Sequence, residues 1–135
     1  MIRLILSVSL LLMLAGCNEL NDITNPADGK LHIQYKNNSG YDLKNLNVGG
    51  IAIGNVSDGS LSSDFIYNQF TFDTGMPDED AVAEVNGKTF SNINRGYWCG
   101  TEKVTISSGN YLIEVAVLDT MLYLSCKNAP TIDYH

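Results

Sequence analysis

Apolar and polar residues alternate with a period of two in several short stretches of the chain, as expected of strands with one buried and one wetted face. Over residues 30–37 (KLHIQYKN), Leu31, Ile33 and Tyr35 stand against His32, Gln34 and Lys36. NNSG then supplies turn residues. Residues 44–54 (KNLNVGGIAIG) put Leu46 and Val48 on one face, with Gly49-Gly50 as a turn or bulge. The aromatic run FIYNQFTFD predicts a strand in one of two phases: Ile66, Phe70 and Phe72 inward with Asn68 breaking the row, or a later start. Asn86-Gly87, set between AVAEV and KTFSNI, calls for a two-residue hairpin with positive φ. Val104 and Ile106 share a face in GTEKVTIS. Tyr111, Ile113, Val115 and Val117 alternate with Leu112, Glu114 and Ala116. Past the Asp119-Thr120 turn, Leu122, Leu124 and Cys126 line one face.

This makes about seven or eight short strands separated by turn residues, with no amphipathic helical stretch of roughly a dozen residues. The expected fold is all-β: an antiparallel β-sandwich, immunoglobulin-like or transthyretin-like, with a small closed β-barrel as the second choice. Its boundaries are residues 30–128, followed by a tail over residues 129–135 with no partner signal.

The first residues follow a different pattern. Arg3 gives a short positive start, Leu4 to Leu14 is apolar apart from Ser7 and Ser9, and small residues lead to Cys17. A spanning helix needs about 20 apolar residues. This run is too short and has the layout of a secretory signal peptide. Leu14-Ala15-Gly16-Cys17 resembles the lipobox of bacterial lipoproteins. That resemblance implies a diacylglyceryl group on the Cys17 thiol, cleavage just before it, and acylation, palmitate included, of the new amino terminus. Residues 1–16 are then the signal peptide and residues 17–29 (CNELNDITNPADG) a flexible polar tether. Each buried methylene contributes about 0.8 kcal/mol, so two or three chains hold a protein on a membrane without a spanning helix. Asn18 is not the aspartate that in such lipoproteins favours inner-membrane retention. The expected location is therefore the periplasmic face of the outer membrane.

Charge narrows the partners. The whole chain carries −7, with 8 Lys and Arg against 15 Asp and Glu, and loss of Arg3 with the signal takes this to −8. No basic patch is available to neutralise nucleic-acid phosphates. The membrane contact falls to the acyl chains on Cys17. A basic envelope protein is the partner such a surface would steer.

Of the 3 cysteines, Cys99 and Cys126 remain after lipidation. Outside the cytoplasm an even pair suits a disulfide, which would stabilise the domain by about 3–4 kcal/mol. A metal site is the poorer alternative, since two thiols stand without a nearby histidine.

The catalytic inventory is thin. His32 sits on the polar face of the first strand and His135 ends the chain; neither accompanies a Ser or Cys nucleophile signature. No catalytic residue, cofactor or metal is assigned. Asp78, Glu79 and Asp80 crowd one turn but lack the alternating spacing of a calcium loop. Two binding candidates emerge. One is Arg95, Tyr97 and Trp98 in RGYWCG, an aromatic-arginine set of the kind binding hot spots use. Tyr97 and Trp98 would face opposite ways on a strand, so one of them suits the core. The other is the acidic patch of Asp78, Glu79 and Asp80. Ser108-Gly109-Asn110-Tyr111 faintly resembles the Ser-Gly-x-x-Tyr motif of periplasmic lysozyme inhibitors, one residue short. The expected function is a non-enzymatic, lipid-anchored binding protein of the envelope. The alternative is an inhibitor of a basic envelope enzyme such as lysozyme.

Overall fold

The computed structural model describes residues 28–92 and 102–130. The expectations for Cys17, Arg95, Tyr97, Trp98 and Cys99 fall outside them, as do the signal peptide and nearly all of the tether.

Among the described residues eleven strands follow one another: β1 (Leu31–Asn37), β2 (Leu43–Val48), β3 (Ile51–Val56), β4 (Phe65–Tyr67), β5 (Phe70–Asp73), β6 (Met76–Pro77), β7 (Ala81–Val85), β8 (Lys88–Ser91), β9 (Lys103–Ile106), β10 (Gly109–Leu118) and β11 (Met121–Cys126). They form an eight-stranded sheet in the order β3-β2-β7-β8-β11-β10-β1-β4 and a three-stranded sheet β6-β5-β9. The fold is all-β, as expected, with a large sheet nearly closed into a barrel and a small sheet beside it.

The large sheet is mixed. β1 runs parallel to β10 over its whole length, from Leu31 opposite Gly109 to Asn37 opposite Val115. β11 meets β8 in parallel through Met121 and Ser91. A strand's side-chain alternation is the same in either pairing direction. The sequence pattern therefore could not announce these two contacts.

The inward rows match the pattern. Leu31, Ile33, Tyr35, Leu46, Val48, Ile113, Val115, Leu122 and Leu124 are all buried. The FIYNQFTFD run follows neither proposed phase as one strand. It divides at Asn68-Gln69 into β4 of the large sheet and β5 of the small one, and the phase resets. Tyr67, Phe70 and Phe72 are buried, and Ile66 is 52% exposed. The two sheets meet through these rings: Phe70 stands edge-on to Tyr67 of β4, and Phe72 packs between Phe70 and Tyr111 of β10.

Polar groups complete the closure. Tyr67 donates its hydroxyl hydrogen to Val48 O at 3.0 Å, so the 2.6 Å contact between the Tyr35 and Tyr67 hydroxyls has Tyr35 as donor. This chain ties β1, β4 and β2 together through the interior. Burial pushes the Tyr67 phenol up to about 12 and Tyr35 higher still, so both remain neutral donors. Turn glycines carry the reversals where L residues are strained. Gly49 and Gly50 adopt φ of +61° and +82° between β2 and β3. Asn86-Gly87 forms the expected hairpin at +51° and +78°.

Candidate interaction surface

The acidic turn forms because Pro77 ends β6 and the chain must cross from the small sheet to β7 of the large one. Its three acids do different work. Glu79 turns its carboxylate back onto the fold and accepts the Thr71 N–H at 3.1 Å. Asp78 pairs with Lys103 of β9 at 2.9 Å, and its backbone N–H donates to Thr71 O at 2.8 Å. Buried Asn92 accepts the Ala81 N–H at 2.7 Å and donates to Glu79 O at 2.9 Å. Asp80 is the exposed member. The turn is a stitch between the sheets, so its charge is partly spent internally rather than presented as one patch.

The Cys99–Cys126 expectation is corrected. Cys126 carries a free thiol, while Cys99 lies outside the described residues. Cys126 sits half-buried at the end of β11 and donates to Asn128 Oδ1 at 3.2 Å. Burial pushes the thiol up to about 11, with Glu114 adding to the rise. Only the thiolate is strongly nucleophilic, so this cysteine is a poor nucleophile at neutral pH. In the native protein, iodoacetamide should modify Cys126 much more slowly at pH 7.5 than in the urea-unfolded chain, as read by peptide mass mapping. Equal rates would mean that the thiol is not held in this environment.

Gly109 and Tyr111 of the Ser108–Tyr111 stretch are taken up by packing. Gly109 has φ of +115°, and a Cβ there would lie 2.8 Å from the Tyr111 ring. Tyr111 leans on Phe72 beneath it.

The described surface shows apolar area that the sequence reading did not single out. At the β10–β11 hairpin, Leu118 is 65% exposed, and Tyr123, paired with Ala116, is also exposed. The signal was present in the alternation, since Leu118 and Tyr123 both fall on outward positions, but single exposed apolar residues are common.

His32 was also underrated. It does face outward from β1, yet its side chain is only 19% exposed, because two carboxylates close on it. Nδ1 contacts Asp64, and Nε2 lies 2.9 Å from Asp28. Asp28 lies four residues earlier in the chain and could have been noticed. Asp64 lies 32 residues on and arrives only through the β1–β4 register, in which His32 faces Ile66 and the diagonal neighbour is Asp64. Both partners raise the imidazole above its ordinary value, Asp64 more than Asp28. Asp28 is lowered, first by the Lys30 N–H and then by His32. The group is a bridge: each ring nitrogen serves one carboxylate. Among the described residues, no group of three or more His, Cys, Asp or Glu is placed to hold a metal ion.

No protein-family model matches the chain, and no curated protein or solved structure shows significant similarity to it.

Proposed function

We propose that the chain is a lipid-anchored envelope protein whose β domain acts by binding rather than catalysis. The observation that carries this is Leu14-Ala15-Gly16-Cys17 at the end of an apolar run opened by Arg3 and followed by a polar stretch. The state of the titratable groups supports the second half. Both nitrogens of His32 are engaged by carboxylates, and the Cys126 thiol is pushed up by burial. The candidate contacts are Arg95, Tyr97 and Trp98, from the sequence, and, separately, exposed residues of the β10–β11 hairpin such as Leu118 and Tyr123. Periplasmic display from the outer membrane follows from Asn18 in place of aspartate.

Cys17→Ser should abolish labelling by radioactive palmitate and move the protein from the membrane to the soluble fraction. A variant that still labels and sediments with membrane would overturn the anchor.

The second reading, inhibition of a basic envelope enzyme such as lysozyme, draws on the excess of 15 acidic over 8 basic residues. Its signature would be inhibition of a basic lysozyme that weakens as salt rises.

A further inference from the structure

We propose that His32 is a pH-gated clasp: as imidazolium it ties Asp28 of the N-terminal segment and Asp64 of the loop ahead of β4 to the first strand, and as neutral imidazole it releases Asp28. The geometry carries this. One ring reaches two acids from opposite nitrogens, Asp64 at Nδ1 and Asp28 at Nε2. Only the imidazolium has two N–H donors to give them. The neutral ring has one. If that hydrogen stays with Asp64, the bare Nε2 lone pair faces the Asp28 carboxylate and the contact becomes repulsive.

The two ties differ in what backs them up. The loop carrying Asp64 is also pinned along β1: Ser62 N–H donates to Tyr35 O at 2.8 Å, and Ser62 Oγ accepts the Tyr35 N–H at 2.9 Å. Asp28 has a local bond only, from the Lys30 N–H at 2.9 Å; Lys30 itself is held to β10, its carbonyl accepting the Gly109 N–H at 3.1 Å, so what can leave is Asp28 and Gly29. Release therefore falls on the N-terminal side. The groups facing the ring are Lys30 just ahead of β1, Gln34 on β1, Ile66 across on β4 and Asn110 across on β10, with Asp28 and Asp64 at its two nitrogens. Of these, Lys30 is the added positive charge, and it favours ionised Asp28.

The sign is set by the two shifts. His32 is raised, so its contribution is complete below the ordinary imidazole value of 6.5 and is lost as pH rises through the raised one. Asp28 is lowered, so at the acid end the tie persists until its carboxyl protonates. The clasp is closed between these limits and open on the alkaline side.

The test is a ¹⁵N–¹H NMR titration of the full chain in detergent micelles, which reads the clasp whether or not Cys17 is acylated. His32 should titrate above 6.5. The Gly29 amide should follow with the same midpoint, its order parameter falling from about 0.85 to below about 0.6 on the alkaline side. The Ser62 amide should stay ordered throughout. In His32→Gln, Gly29 should be mobile at every pH, while the β1–β10 cross-strand contacts confirm the fold. Asp64→Asn should lower the His32 midpoint more than Asp28→Asn does. Gly29 equally ordered on both sides of the midpoint, or the same transition surviving in His32→Gln, would overturn the clasp.

Discussion

Phe72→Ala should destabilise the domain by about 3–5 kcal/mol, the range for emptying a fully buried aromatic site. Phe72 has no exposed surface and sits where the small sheet meets the large one, 5.2 Å from the Phe70 ring centroid and 5.7 Å from that of Tyr111. Its loss does more than leave a cavity, because it removes the ring that joins β5 to β10. The neighbours cannot collapse into the gap easily: Phe70 is held by Tyr67, and Tyr111 lies against the Gly109 backbone. Urea unfolding followed by far-UV circular dichroism would measure the change. A folded domain of this size has a total stability of about 5–15 kcal/mol, so the alanine variant can fall below the folding threshold. Phe72→Leu keeps most of the volume and should lose only about 1–1.5 kcal/mol. A loss below about 1 kcal/mol for alanine would mean that the small sheet is not docked through this ring.

The inward rows of β1, β2, β10 and β11 were legible because burial on one face imposes period two on the residues themselves. The Asn86-Gly87 hairpin was legible because positive φ restricts which residues can occupy it. Partner identity leaves no such mark. Nothing in Leu31–Asn37 distinguishes β10 from any other neighbour, so the parallel pairing had to come from the structure. The same gap hid the site around His32. Its outward position was readable, but Asp64 reaches it through a register between β1 and β4 that no local pattern encodes. The acidic turn failed in the other direction. Three adjacent acids look like a solvated patch when written in a line, yet Glu79 and Asp78 turn back onto Thr71 and Lys103 once the sheets stack. Ile66 shows the third kind of loss, where one apparent strand changes sheet midway and its phase cannot be carried across the break.

Asn37→Ala should cost about 2–4 kcal/mol, a large loss for a surface-adjacent polar residue. Asn37 ends β1 with no exposed surface. Its Nδ2 donates to Tyr41 O at 2.7 Å and to Val56 O at 2.8 Å, and its Oδ1 accepts from Ser39 N–H at 2.9 Å and from Ser39 Oγ at 2.6 Å. One side chain thus joins the end of β1 to the end of β3, and the backbone continues the seam through Ser60 O and the Gly59 N–H. Strands β1 and β3 are far apart in the order of the large sheet, so this amide helps draw the sheet toward closure. Alanine strands the Val56 carbonyl without its donor, and an unsatisfied buried group costs about 1–3 kcal/mol. Asn37→Asp separates the hydrogen bonds from the volume. The carboxylate keeps the acceptor for Ser39 but turns an oxygen toward two carbonyls that need donors. Burial and those carbonyls should raise its pKa above the unfolded value of about 3.9, so the damage should grow as pH rises through that window and shrink in acid, where the protonated group can again donate. The check is the stability difference between Asn37→Asp and wild type in urea at pH 4, 5.5 and 7. A difference that does not change with pH would show that Asn37 fills space at the seam without holding it by donation.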